Sequence, residues 1–271
     1  KNKDLIPEYL AFVKGLVESP DIPLNISRET LQENLVVQKI SSALVKQVLS
    51  HLQKKAKDDP EKYADFWKEH GTILKFGHSD YGNQERFAEL LRFNSSHHND
   101  RNGLTSLAEY MERAGDEQKE IYYLSGQSRE AVESDPHLEI FRRKGIEVLY
   151  LYEPVDEFCL AGLGKYRETP FQSAEHADLS KLDQIKDVTE EEQKAEALSD
   201  SEEKIFTKLL DRFKDILGDR IKDVRESKRL KDSPSCLVNP DGMMTSHMQK
   251  IMHIMSKDSA PPQKIMEINK D

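Results

Sequence analysis

PHLEIFRRKGIEVLYLYEPVDEF, residues 136–158, turns from a helical pattern to an extended one at a single glycine. The helical stretch reads from 128 to 144, and Gly145 is a natural stop for it. The apolar run 146–152 then reads as a strand. Its partner is 121–125, Ile-Tyr-Tyr-Leu-Ser. Both runs are too apolar on both faces for an exposed strand, so they suit a buried, largely parallel sheet with helices outside. Further helical stretches at 84–91, 104–114 and 154–166 complete an αβα layer. Such a layer invites a nucleotide site, but the chain has neither GxGxxG nor GxxxxGK[ST]. Gly162-Leu163-Gly164-Lys165 is too short and follows a helix, so it is no phosphate cradle.

Toward the N-terminus, residues 4–18 predict an amphipathic helix with Leu5, Tyr9, Phe12, Val13 and Leu16 at helical spacing. A loop at 19–26 holds Pro20 and Pro23. A long helix follows from about Arg28 to Lys55, with Leu31, Leu35, Val36, Ile40, Leu44, Val48 and Leu52 as its apolar stripe. Tyr63, Phe66 and Trp67 sit on a short helix after Pro60, and Trp67 reads first as a packing anchor.

Toward the C-terminus, residues 174–203 carry eleven Asp or Glu, three Lys and no aromatic residue. That stretch reads as a linker with a solvated helix, and the domain boundary is placed there. A helix from Glu202 to Leu217 should turn Ile205, Phe206, Leu209, Leu210, Phe213, Ile216 and Leu217 inward, with Gly218 ending it. Strands at 221–230, 234–239 and 264–269 and a helix at 241–257 complete a small α/β C-terminal unit. The expected fold class is therefore α/β (α+β): a helical segment, a small αβα layered subdomain, then a small α/β C-terminal domain.

Six of the seven methionines lie in 243–266. Met244, Met248, Ile251, Met252 and Met255 share one helix face, with Met243 just before them. Methionine is flexible and polarisable, so such a face can repack against many apolar partners. It can equally pack on the domain core or on a second subunit.

Hydrophobic content is 37%, charged content 33% and mean hydropathy −0.73, which fits several small cores with much exposed surface. A net charge of −10, with no basic stripe and interleaved aromatics, argues against nucleic acid as a partner. No apolar run approaches the ~20 residues that span a bilayer, and no signal peptide is visible. Cys159 and Cys236 lack metal-type spacing and read as small buried hydrophobes in a reducing compartment. His97-His98 has no third ligand and reads as a surface loop. Asp156 and Glu157 lie near the end of a strand, where α/β enzymes place acids, but without a Ser or Cys nucleophile partner or a Gly-rich turn the favoured reading is a charge effect at a helix N-terminus. Ser125-Gly126-Gln127-Ser128 is not GxSxG.

Ser27 is a good N-cap, and Arg28 and Gln32 share a face one turn apart inside the helix that follows. An arginine held there can deliver charge to a phosphate bound elsewhere. From spacing alone the favoured reading is an ion pair with a nearby carboxylate such as Glu29 or Glu33.

The run IPLNISRETLQEN at 22–34 resembles the signature loop of the ninety-kilodalton heat-shock chaperones. LIPEYLAFVKGLVES at 5–19, YADFWKEHG at 63–71, LLRFNSS at 90–96, LTSLAEYMERA at 104–114, IYYLSGQS at 121–128, SPSCLV at 233–238 and IMEIN at 265–269 agree in order. The 136–158 stretch and PFQS at 170–173 are most similar to the family's bacterial branch. The resemblance implies an ATP-driven homodimeric clamp for unfolded client proteins in the cytoplasm. It implies that Arg28 reaches the ATP γ-phosphate with Gln32 beside it. It further implies client contact through Met243, Met244, Met248, Ile251, Met252 and Met255, with Trp67 as an outlying member. In the same terms, 1–75 ends a large middle subdomain and its connecting helices, 76–173 is a small αβα middle subdomain, 174–200 a linker and 201–271 a C-terminal domain. The chain begins without Met and stops straight after a strand, so it is expected to be a fragment that lacks its own N-terminal ATPase domain and the dimerisation helices. ATP and Mg then belong to the full-length protein, and no cofactor, metal, nucleic acid or membrane is expected for this segment. A structural scaffold module and a free-standing enzyme built around Asp156 are the competing classes.

Overall fold

A computed structural model describes residues 5–18, 35–100, 102–115, 117–188, 199–240, 244–256 and 263–270. It is a mixed α/β fold of two compact units. Unit 1 takes residues up to Phe93 with Leu104–Glu109 and Glu153–Glu168, and unit 2 takes Asn94–Gly103, Tyr110–Tyr152 and the chain from Thr169 on.

Unit 1 is helical. The expected helix over 4–18 is absent: Glu8–Leu10 makes one 3-10 turn, and only Tyr9 and Leu10 are buried. Pro7 holds an extended backbone at ψ 158° and Gly15 resists helix, which together outweigh the apolar spacing. Helix α1 (Leu35–Asp58) buries Val37, Val45, Leu49 and Leu52, one position round from most of the expected stripe. Helix α2 (Pro60–Leu74) starts cleanly because Asp59 caps the Lys62 N–H at 3.3 Å and Pro60 sits where no N–H is needed. A 3-10 turn (Lys75–Ser79), α3 (Gln84–Ala88) and α7 (Pro154–Leu163) pack in the same unit. Tyr63 donates its hydroxyl to the Leu90 carbonyl at 2.7 Å, satisfying a buried polar group.

Unit 2 holds the sheet. Strand β2 (Ile121–Ser125) lies between β3 (Leu149–Leu151) and β5 (Thr169–Ser173), parallel to both, with Tyr123 opposite Leu149 and Ile121 opposite Phe171. The two-residue β1 (Asn94–Ser95) runs antiparallel on β3. Tyr122, Leu124, Val132, Ile140, Phe141, Val148 and Tyr150 form the core. The single helix expected over 128–144 is broken into α5 (Arg129–Glu133), a 3-10 turn (Pro136–Leu138) and α6 (Glu139–Lys144). Pro136 forces Asp135 out of the helical region, to ψ 128°. Gly145 does end α6, in the left-handed conformation at φ 63°. A Cβ there would also press on Val188, at 2.8 Å.

Helix α9 (Asp200–Leu217) leads into a second sheet of order β6-β8-β7, formed by Ile221–Glu226, Lys264–Ile268 and Ser235–Val238. Strands β6 and β8 are parallel, β7 and β8 antiparallel. Of the seven α9 residues expected to turn inward, Ile205, Leu209 and Ile216 are exposed, so only part of the stripe is covered. Glu267 sits in this layer 1% exposed, held by Arg225 Nη2 at 2.6 Å and Arg229 Nε at 2.9 Å. Burial works against its charge, yet the two guanidiniums hold its carboxyl below the ordinary range.

Candidate functional site

The methionine face stands on α10 (Ser246–Ser256) in unit 2. Thr245 caps the helix, accepting from the Met248 N–H at 3.1 Å. Met244, Met252 and Ile254 are exposed, at 43%, 43% and 76%. Met248 and Ile251 are half-buried and share the Met252 face, Met244 stands just before the first turn, and Ile254, two residues past Met252, lies on another side. The helix root is polar. Glu175, from the turn after β5, takes the Ser246 N–H at 2.9 Å and the Ser246 hydroxyl at 2.8 Å. Asn239 Nδ2 donates to the same carboxylate at 3.3 Å and to the Met244 carbonyl at 2.9 Å. Lys264 Nζ donates to Ser246 Oγ at 2.5 Å. The outcome is an apolar strip facing water on a helix whose N-terminal end is tied down by hydrogen bonds. Chemically it can hold apolar chain segments.

Of the other anticipated residues, Arg28, Gln32 and Met243 lie outside the described residues, as does the side chain of Met255. Trp67 is 7% exposed in unit 1, its indole lying against Gly71, where a Cβ would come within 2.7 Å. It therefore packs in the core and offers no surface. Sequence reading did not single out Phe76, Tyr81 and Phe158, which are exposed in unit 1. It also missed Glu175, whose partner Ser246 is 71 residues away, beyond any local spacing signal.

Asp156 is 3% exposed, so its carboxylate is not offered to a substrate. It accepts the Glu153 N–H at 3.0 Å, completing the capping box of α7, and pairs with Lys75 Nζ at 2.5 Å. Burial pushes the Lys75 ammonium down, but Asp156 and Glu153 together hold it above its usual value. Both thiols are buried, as anticipated, and burial pushes Cys236 up to about 12. His97 and His98 pack edge to face at 4.8 Å on a cleft of about 620 Å³ that also meets Glu133, Arg142 and Glu147. Among the described residues no group of three or more His, Cys, Asp or Glu is placed to hold a metal, and no helix is long and apolar enough to cross a membrane.

Comparison with known proteins covers the whole chain. A chaperone protein HtpG of Nitratidesulfovibrio vulgaris is 53% identical over 271 residues, spanning all of this chain and 42% of the relative. The HtpG of Oleidesulfovibrio alaskensis is 54% identical over 269 residues, 99% of this chain and 42% of the relative. That of Shewanella amazonensis is 42% identical over 268 residues, 98% of this chain and 41% of the relative. The chain thus spans about two fifths of the length of these relatives. The model of the family described as Hsp90 protein matches residues 1–271, and with relatives above half identity along the same span, this chain belongs to the Hsp90 family.

Proposed function

We propose that this chain is the part of an ATP-dependent molecular chaperone that contacts partly unfolded client proteins. The observation that carries the reading is the apolar face of Met248, Ile251 and Met252 on α10, with Met252 exposed, Met244 exposed just before the helix and Ile254 exposed on another side of it. Fully burying one such side chain contributes roughly 1.5–3 kcal/mol. A few of them hold an unfolded segment usefully yet let it go. Family membership and relatives that carry the name chaperone support the same reading.

The wider protein is proposed to be a cytoplasmic homodimer that binds ATP with Mg in its own N-terminal domain. Arg28 is proposed to complete that site by meeting the γ-phosphate, with Gln32 beside it. This segment would then hydrolyse nothing alone.

The test is suppression of aggregation of a partly unfolded protein, without ATP, by wild type and by Met248→Ser/Met252→Ser. Suppression that falls several-fold in the variant supports α10 as the client surface. Equal suppression by both removes α10 from the proposal. The second reading, a scaffold module with no client binding, draws on the exposed Ile205, Leu209 and Ile216 of α9. It gains if neither protein suppresses aggregation.

A further inference from the structure

A helix usually finds its N-terminal partners within its own segment. Helix α10 does so through Thr245. Its next donors, the Ser246 N–H and hydroxyl, go to a carboxylate from far upstream, Glu175. That carboxylate belongs to a side chain only 5% exposed, on the single turn Ala174–His176. The turn is continuous with β5, which pairs with β2 in the centre of the larger sheet of unit 2. Ser173 Oγ at the end of β5 accepts the Glu175 N–H at 3.3 Å, and from outside the turn the buried Arg229 donates to the Ala174 and Glu175 carbonyls at 3.5 Å each. Arg229 also holds Glu267 of β8 at 2.9 Å. One turn therefore joins the larger sheet, the smaller sheet and the root of α10.

Resting on the reading of α10 as a client surface, we propose that Glu175 is the positioning residue that sets the direction of α10. The carboxylate faces the positive end of the helix and two directed donors, so it fixes an angle as well as a place. If the end of β5 shifts, the acceptor shifts with it, and α10 follows or loses its hold. The apolar strip is thereby coupled to the larger sheet of unit 2 through Glu175, beside the hold that Asn239 and Lys264 of β8 have on the same root.

The experiment is amide hydrogen exchange across this 271-residue chain, read at Gln249–Ile254 of α10 and at β6, β7 and β8, for wild type and Glu175→Ala. Removing a charged acceptor should speed exchange at the α10 amides on the order of ten- to a hundred-fold while the three strands stay protected. Glu175→Gln, which keeps one acceptor oxygen, should fall between. Ser246→Pro removes both donors at a position where proline suits a helix, together with the oxygen that Lys264 and Asn239 use, so it should free α10 at least as much without altering the buried carboxylate. Unchanged protection of α10 overturns the proposal, as does a rise that only keeps step with the three strands, since that is plain loss of stability. Binding of reduced, carboxymethylated α-lactalbumin separates the two readings. If Met248→Ser/Met252→Ser binds it as wild type does while Glu175→Ala frees α10, the client surface fails and the latch stands. If the methionine variant loses binding while α10 stays protected in Glu175→Ala, the latch fails and the client surface stands.

Discussion

At the scale of single residues, the most exacting arrangement is the charge buried in unit 1. Lys75 Nζ lies 2.5 Å from Asp156 and 3.0 Å from Glu153, and it faces the Trp67 and Phe93 rings at 5.6 Å each. The Lys75 and Asp156 side chains are 5% and 4% exposed. A pair like this adds little net stability, because desolvation offsets most of the attraction, but losing one member strands a buried charge. Lys75→Met should therefore destabilise by roughly 3–5 kcal/mol. Lys75→Met/Asp156→Asn should recover much of that loss, since Asn can still accept the Glu153 N–H while carrying no charge. Urea denaturation of the two variants decides it, and a double variant no more stable than Lys75→Met would mean that packing, not stranded charge, sets the cost. Sequence reading anticipated the role of Asp156 at a helix start. It did not anticipate Lys75, because a buried lysine has no signature apart from the partners that the fold brings to it.

At the scale of elements, legibility followed how locally each element is determined. Strand β2 was readable end to end because Ile121–Ser125 is apolar on both faces and flanked by turns. The two-residue β1 and the mixed Thr169–Ser173 carry no such pattern, and they become strands only because β3 and β2 offer free edges. The helix over 128–144 was overextended because periodicity continues across Pro136 while the backbone does not. The methionine face of α10 was legible in its spacing, whereas its anchor at Glu175 was not. A second long-range clamp has a pH signature. Glu139, the first residue of α6, accepts the N–H groups of Lys231, Asp232 and Ser233 at 2.6, 3.0 and 3.1 Å. Burial pulls its carboxyl up, but those backbone donors outweigh it and hold the group below its usual value of 4.5. A depressed carboxylate contributes stability above its unfolded pKa and loses it as pH falls through the folded one. Glu139→Gln should thus cost about 1 kcal/mol near neutrality, allowing for solvent screening of a partly exposed group. The gap to wild type should close between roughly pH 5 and pH 3. Thermal melts across that range check it, and a gap that stays constant would rule out the charged clamp.

At the scale of the whole molecule, client contact and nucleotide chemistry are proposed to be divided between segments. This segment presents an apolar strip on α10, and its buried Asp156, Glu175 and Glu267 are engaged with N–H groups and cations. If the proposed chaperone works as a clamp, energy has to enter from a nucleotide site elsewhere, and Arg28 is the proposed link between that site and this segment. An arginine arriving late in a cycle neutralises charge that develops on the transferring phosphate, and it adds little to ground-state binding. In GTPases such arginines supply about 10³–10⁵ in rate. In the full-length protein, Arg28→Ala should leave the affinity for ATP within about two-fold and lower turnover on the order of ten-fold or more, by the same analogy. Gln32→Ala should lower it less, because an uncharged amide compensates less of that charge. Equilibrium nucleotide binding and steady-state hydrolysis, measured on the same preparations, separate the two effects. Weaker binding with turnover unchanged at saturation would make Arg28 a ground-state contact. Equal turnover and equal binding would take it out of the site altogether. Because client contact is proposed to lie on α10, Arg28→Ala should still suppress aggregation without ATP as wild type does, which places its defect in the cycle and not in holding.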